Sequence, residues 1–222
     1  MPRRKSRQVK YLSTADPNDE TAVIGQKINP YEDYVEYMGK PVEKTDELYY
    51  VMLNKPRGYV TTLSDEKGRD TVVELIKDVP ARIYPIGRLD LNSDGLLLFT
   101  NDGELTNKLL HPKNEVEKEY LVRIKGKATP EQLARLNRPM TIDGYRIAPA
   151  KVTVSGDTGE NQILRFIIHE GRNRQIRKMC EQADILVSRL KRIRFGTLEL
   201  GTLKSGNWRY LTKKEIQYLK SL

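Results

Sequence analysis

Residues 87–105 read GRLDLNSDGLLLFTNDGEL. An Asn-Ser-Asp-Gly turn separates "ARIYPIGRLDL" from the apolar run "GLLLFT", and such a turn between apolar runs is a strong hairpin signal. A chain carrying this segment must bury a strand beside a tight turn. It must also hold a carboxylate, Asp90, at the edge of the buried run, two residues after Arg88. Aspartate is seldom buried unless paired, so a cationic partner is expected elsewhere.

Short apolar runs broken by turns recur along the chain. "LYYVMLNKPRG" predicts a strand ending in a Lys-Pro-Arg-Gly turn, and "EKEYLVRIKG", "YRIAPAKVTVSG", "NQILRFIIHEG" and "ILVSRLKRIRFGTLEL" predict further strands. Helices are predicted at "TVVELIKDV", "DGELTNKLLH", "TPEQLARL" with Thr129 as cap, "NRQIRKMCEQA" and "TKKEIQYLKSL", whose Thr212 and Glu215 form a capping box. In the fourth of these, Ile176, Met179, Cys180 and Ala183 share one face. Strands outnumber helices and hairpins recur. The expected fold is α+β: a mixed, mostly antiparallel sheet with flanking helices.

Three segments are expected. Residues 1–22 are basic and polar with no apolar periodicity, so they are expected to be disordered. Residues 23–45 contain two short strands around a Pro and Gly turn and run into the linker "KTDE" at 44–47. Residues 46–222 form the main domain.

Composition narrows the function. There is no apolar run of 18 or more, so no membrane span is expected. The basic start has no apolar stretch after it and does not read as a secretory signal. One cysteine, Cys180, excludes an internal disulfide and fits a reducing, cytoplasmic setting. His111 and His169 are the two histidines, too few for a His-rich metal site. Charge is uneven. Residues 172–222 hold 13 Lys and Arg against 4 Asp and Glu, a surplus equal to the net +9 of the whole chain. Such a concentration fits a polyanion such as nucleic acid, or equally a solvated basic face.

Asp90 reads locally either as a turn cap or as a carboxylate held still at a cleft floor. A glycoside hydrolase would need a second close carboxylate. Asp94 lies in the turn and reads as shaping it, while Asp102 and Glu104 sit at a second turn and a helix start, where the dipole favours acids. The candidate partners are Arg172, Arg174 and Arg177 in "EGRNRQIRKM". Arg177 lies at the edge of the apolar stripe and can be half-buried, whereas Arg174 points further out and suits a phosphate. Tyr120 in "EKEYLV" reads as a core aromatic or as a ring that stacks on a base. Lys55 and Arg57 in "NKPRG" suit a phosphate contact. His111 before Pro112 reads as a helix-end cap.

Taken in order, "NKPRG", "GRLDLNSDGLLLFT", "EKEYLV", "EGRNRQIRKM" and "RLKRIRFGTLELGTLKSGNWRYLT" resemble the motifs of RNA pseudouridine synthases, in particular the branch that modifies bacterial ribosomal RNA. The resemblance covers about residues 48–220, and "GRNRQIRKMCE" is more similar to members acting on large-subunit RNA. It implies a central catalytic cleft with Asp90, Tyr120 and Arg177 as catalytic residues. Asp90 would be the catalytic carboxylate, Arg177 its partner and Tyr120 the ring against the target uracil. It implies RNA contacts for Lys55, Arg57, Arg88, Arg172, Arg174, Lys178, Arg192 and Arg194, with Arg88 linked to flipping the base. Residues 23–45 resemble only the tail of the small RNA-binding domain, the α-L domain, with which such proteins begin. The implied reaction turns a uridine of 23S-type ribosomal RNA into pseudouridine, in a monomer with no metal and no small-molecule cofactor. The alternatives are an idle RNA-binding or ribosome-assembly factor on the same fold, or the same enzyme acting on small-subunit RNA or tRNA.

Overall fold

The computed structural model describes residues 9–13, 16–21, 33–37, 40–42 and 47–222. Contacts divide the chain into two units, Met1–Glu47 and Leu48–Leu222. In the first unit β1 (Val9–Ser13), β2 (Asp16–Thr21), β3 (Asp33–Tyr37) and β4 (Lys40–Pro41) form an antiparallel sheet in the order β2-β1-β3-β4. The expectation of disorder over 1–22 therefore fails for β1 and β2. Backbone pairing with β3, not apolar periodicity within the segment, is what gives it shape, and local pattern cannot register that. Residues 1–8, 14–15 and 22 of that segment lie outside the described residues, as does most of the expected linker.

In the second unit the strands are β5 (Tyr50–Lys55), β6 (Tyr84–Ile86), β7 (Ser93–Thr100), β8 (Lys118–Lys125), β9 (Thr141–Ile142), β10 (Tyr145–Arg146), β11 (Lys151–Asp157), β12 (Asn161–Ile168), β13 (Val187–Phe195), β14 (Leu198–Glu199) and β15 (Trp208–Tyr210). The helices are α1 (Gly103–Leu110), α2 (Pro130–Leu136), α3 (Gln175–Gln182) and α4 (Lys213–Ser221). "TVVELIKDV" forms a 3-10 turn over Val72–Ile76, not an α-helix. The main sheet runs β11-β12-β8-β13-β7-β5-β15, and β9 pairs with β10 apart from it. The pairings are antiparallel except β13 with β7, so the sheet is mixed and mostly antiparallel, as expected.

At β5 and β7 the sheet is buried on both faces. Val51, Leu53, Leu97 and Phe99 belong to one apolar cluster, and Tyr50, Met52, Leu96 and Leu98 to another. Side chains alternate across a strand, so the clusters lie on opposite faces of β5 and β7. Every residue of β5 and β7 is buried. Loops at one end of these strands can thus be held from both sides.

The hairpin of β6 and β7 forms with a shifted turn. Ser93, Asp94 and Gly95 belong to the strand, and the connection is 87–92. Gly95 has φ +110°, and a Cβ there would lie 2.1 Å from the carbonyl oxygen of Arg192. The glycine permits close approach of the parallel strand β13. Asp94 does not shape a turn: it is buried and receives two hydrogen bonds from Arg189, Nε to Oδ1 at 3.0 Å and Nη2 to Oδ2 at 2.8 Å.

Candidate active site

The loop that carries Asp90 is pinned by residues distant in sequence. The Thr61 hydroxyl donates to the Leu89 carbonyl at 2.8 Å. The amide of Gly58 donates to the Leu91 carbonyl at 2.9 Å, and that of Ser93 to the Asp90 carbonyl at 3.0 Å. Beneath the loop the Lys55 ammonium donates to the carbonyls of Pro56, Asp90 and Ser93 at 3.0, 3.2 and 2.9 Å. These bonds leave the Asp90 carboxylate at a defined point, with its side chain 31% exposed.

Two guanidinium groups face that carboxylate. Arg177 Nε lies 4.0 Å and Arg174 Nη1 3.9 Å from Asp90 Oδ2. Arg177 is the more buried, and its Nη2 donates to the Asn92 carbonyl at 3.0 Å and to Ser93 Oγ at 3.4 Å. Burial and the Arg174 charge lower the Arg177 pKa, against the opposing pull of Asp90. Both distances are ion-pair range and too long for a hydrogen bond, so the carboxylate oxygens are held electrostatically and keep their lone pairs. Arg174 caps the start of α3 with φ +52°, a left-handed conformation that a non-glycine residue adopts at some cost.

Asp90, Tyr120 and Arg177 line one cavity of about 160 Å³ with Arg88, Arg172, Arg174, Lys118 and Arg192. An apolar cavity of about 150 Å³ accepts a benzene-sized ring, so this space fits a single pyrimidine. Asp90 is the one acid among its lining residues. Tyr120 is buried, belongs to the core and walls the cavity. A groove of about 350 Å³ adjoins, lined by Thr61, Thr62, Ser64, Arg69, Arg88, Asp90 and Arg174 among others.

The expected RNA contacts divide into two groups. Arg57, Arg88, Arg172 and Arg174 are exposed. The Arg172 guanidinium carbon lies 3.1 Å from the centroid of the exposed Tyr145 ring, and its Nε donates to Glu170 at 3.4 Å. The second group is corrected. Lys55 is wholly buried and consumed by three carbonyls. Arg192 is 4% exposed, and its Nε donates to the Leu96 carbonyl at 2.6 Å. Arg194 is half-buried and bonds Glu119 at 2.7 Å and Glu117 at 3.0 Å. Lys178 is ion-paired to Asp143. A phosphate-binding surface needs an exposed, unengaged head group; Lys55 and Arg192 are buried, and Arg194 and Lys178 are ion-paired, so none of the four offers one to a phosphate. Lys118 was missed by the sequence reading. It stands two residues before Tyr120, hence on the same face of β8, and burial pushes its amine down to about 8, with the Arg192 charge adding to the effect. His111 is exposed and caps the end of α1, as expected.

A buried sheet with a pinned aspartate, a tyrosine and arginines around a ring-sized cavity defines an enzyme that works on a base. The family model described as RNA pseudouridylate synthase matches residues 49–182, and the chain belongs to that family. It is 43% identical to Ribosomal large subunit pseudouridine synthase B of Bacillus subtilis, over 86% of this chain and 78% of that protein. It is 41% identical to an uncharacterized RNA pseudouridine synthase of Aquifex aeolicus, over 88% and 79%. The structure superposes on a crystal structure of a pseudouridylate synthase with a TM-score of 0.72 at 27% identity, covering 95% of this chain and 88% of that one. The expected family, fold class and reaction class hold. No helix among the described residues is long and apolar enough to cross a membrane.

Proposed function

We propose that this enzyme isomerises a specific uridine of large-subunit ribosomal RNA to pseudouridine, in the cytoplasm and as a monomer, with Asp90 as the catalytic carboxylate. The observation that carries the proposal is the single cavity in which Asp90 stands alone among six cations, with Tyr120 on its wall. The RNA substrate is drawn from the relatives named ribosomal large subunit pseudouridine synthase B. The target nucleotide leaves its stack to reach Asp90, its phosphates meeting the exposed Arg57, Arg88, Arg172 and Arg174. Inside, Tyr120 packs against the uracil, and Arg177 and Arg174 face the Asp90 carboxylate with opposite charge beside the sugar.

The test is Asp90→Asn, assayed for pseudouridine on ribosomal RNA from cells lacking the enzyme, with RNA affinity measured in parallel. Product is expected to vanish while affinity holds or rises. Asparagine caps turns as aspartate does, so wild-type product from the variant would remove Asp90 from the chemistry. Pseudouridine mapping with and without the gene identifies the RNA. A site lost from small-subunit RNA or tRNA would overturn the substrate assignment.

A further inference from the structure

The inner wall of the cavity carries two cations that the roles above leave unused. Arg192 on β13 stands opposite Tyr120 on β8 in the antiparallel register. It is 4% exposed and lines the cavity with Asp90. Its Nε is taken by the Leu96 carbonyl. Its Nη2 is buried, and among the described residues no group accepts from it. Beside it Lys118 lines the same cavity and donates to the His169 carbonyl at 3.0 Å. The nearby carboxylates are engaged elsewhere: Glu119 binds Arg194 and Arg165.

This arrangement runs against ordinary packing. A buried N–H with no acceptor is costly, and two like charges in one wall raise the cost further. The charge of Arg192 is felt at Lys118, whose amine is pushed down to about 8 chiefly by burial. A site built this way is poorly matched to a neutral ring and well matched to an anionic one, which is the signature of a group that acts on the reacting state and not on the bound substrate.

We propose that Arg192, with Lys118 beside it, is a further catalytic residue: its Nη2 donates to a carbonyl oxygen of the uracil and takes up the negative charge of the ring while it is detached from the ribose. The inference rests on the function proposed above. When the N1–C1′ bond breaks, both electrons leave with the ring, which becomes a uracil anion delocalised over N1, O2 and O4. C1′, left electron-poor, lies on the Asp90 side. The ring turns, C5 supplies the electron pair for a new bond to C1′, C5 loses its proton and N1 gains one. The sum is an isomer, with no oxidant or reductant. Throughout the detached interval the ring carries one negative charge, and Arg192 holds both the charge and the ring.

The experiment compares Arg192→Met and Arg192→Lys with wild type in single-turnover consumption of the target nucleoside, using RNA with uridine and RNA with 5-fluorouridine at the target. Fluorine makes the ring a better anion, so it needs less help in leaving. Arg192→Met is expected to slow uridine consumption by roughly 10²–10³-fold, the size found for loss of one oxyanion donor, with RNA affinity within about threefold. On 5-fluorouridine the deficit should shrink by about tenfold or more. Arg192→Lys should lie between, with the same dependence on fluorine, and it carries the test if the methionine variant does not fold. Equal deficits on both substrates would assign Arg192 a structural role and overturn the inference, as would consumption of uridine at the wild-type rate. If Asp90→Asn is inactive while Arg192→Met and Arg192→Lys keep full rate, this inference alone fails. If Asp90→Asn is active, the underlying function fails with it.

Discussion

Lys55→Met separates two opposing effects at the foundation of the site. Lys55 is wholly buried at the end of β5. Burial pushes its amine from 10.5 down to about 8, partly offset by Asp94 and Asp90. At about 1.4 kcal/mol per pKa unit, the fold disfavours the ammonium by about 3 kcal/mol. Methionine has a similar length and removes that cost. It also leaves the carbonyls of Pro56 and Ser93 without the ammonium donor, while the Asp90 carbonyl keeps the Ser93 amide. Each orphaned buried acceptor costs about 1–3 kcal/mol, so two cost about 4 kcal/mol. The second effect wins. The variant should lose about 1 kcal/mol, or roughly 2–4 °C of melting temperature for a chain of this size. Activity should fall as well, because the Asp90 carbonyl is one of the three anchors. The sign with pH follows from linkage. The folded-state pKa is below the unfolded one, so between about 8 and 10.5 the unfolded chain binds the proton that the folded one has released. Stability owed to Lys55 therefore rises with pH across that window. Urea unfolding followed by circular dichroism at pH 7 and pH 9.5 checks both points. A methionine variant as stable as wild type at pH 7, or a gap that narrows above pH 8, would refute the reasoning.

Four further outcomes follow from the geometry. Gly95→Ala places a Cβ 2.1 Å from the Arg192 carbonyl oxygen at φ +110° and should cost about 4 kcal/mol or more, read as a loss of soluble folded protein. Arg189→Met strands the buried Asp94; with the arginine half-exposed, the expected loss is about 2–3 kcal/mol by denaturant unfolding, and Asp94→Leu in the same chain should recover most of it. Glu215 is held at about 2 by the Arg209 guanidinium, a folded pKa below the unfolded 4.5. Its stabilisation is therefore present above 4.5 and lost as pH falls through 2, so Glu215→Gln should cost about 1 kcal/mol at pH 7 and less at pH 3. Among the exposed arginines, Arg57→Ala, Arg172→Ala and Arg174→Ala should each flatten the log–log salt dependence of RNA binding by roughly 0.7–0.9, and Arg194→Ala should leave it unchanged.

Local pattern was enough for most of the second unit. The alternation in "EKEYLVRIKG" placed β8, and the apolar stripe Ile176, Met179, Cys180 and Ala183 placed α3. What pattern missed has a common cause. A strand covered on one face alternates, and its charges point outward. β5 and β7 are covered on both faces, with buried Lys55, Ser93 and Asp94 among apolar neighbours. On such strands the next residue's class says nothing about where a charge points, so Lys55 read as a surface cation. Asp94 was misread for a related reason. The Asn-Ser-Asp-Gly sequence fits a tight turn, but the glycine is required by the passage of β13, 97 residues further on, and only long-range register reveals that. The strands β1 and β2 failed to register because pairing, not periodicity, defines them. The Asp90 site was legible as a set of motifs. The 4 Å spacing of its arginines and the unpartnered Nη2 of Arg192 were not, because side-chain engagement is a property of the fold.

The cations that made the C-terminal segment look like one basic face serve two purposes. Arg189, Arg192, Arg194 and Arg209 are committed to Asp94, the Leu96 carbonyl, Glu119 with Glu117, and Glu215. Removing Arg189, Arg194 or Arg209 is expected to change stability and, on the inference above, removing Arg192 is expected to change the rate. Arg172 and Arg174 stand at the cavity with exposed head groups, and on the proposed function their loss is expected to change binding. On the proposed function, this division lets one segment be strongly basic without every cation adding to RNA affinity. Phosphate affinity grows with every free cation and is blind to sequence. An enzyme that must turn over gains nothing from affinity shared equally by substrate and product. On the inference above, charge placed inside, where the uracil becomes anionic, lowers the barrier instead. The position of each arginine relative to the cavity, and not the net charge of the segment, therefore decides whether it acts on affinity, on stability or on the rate.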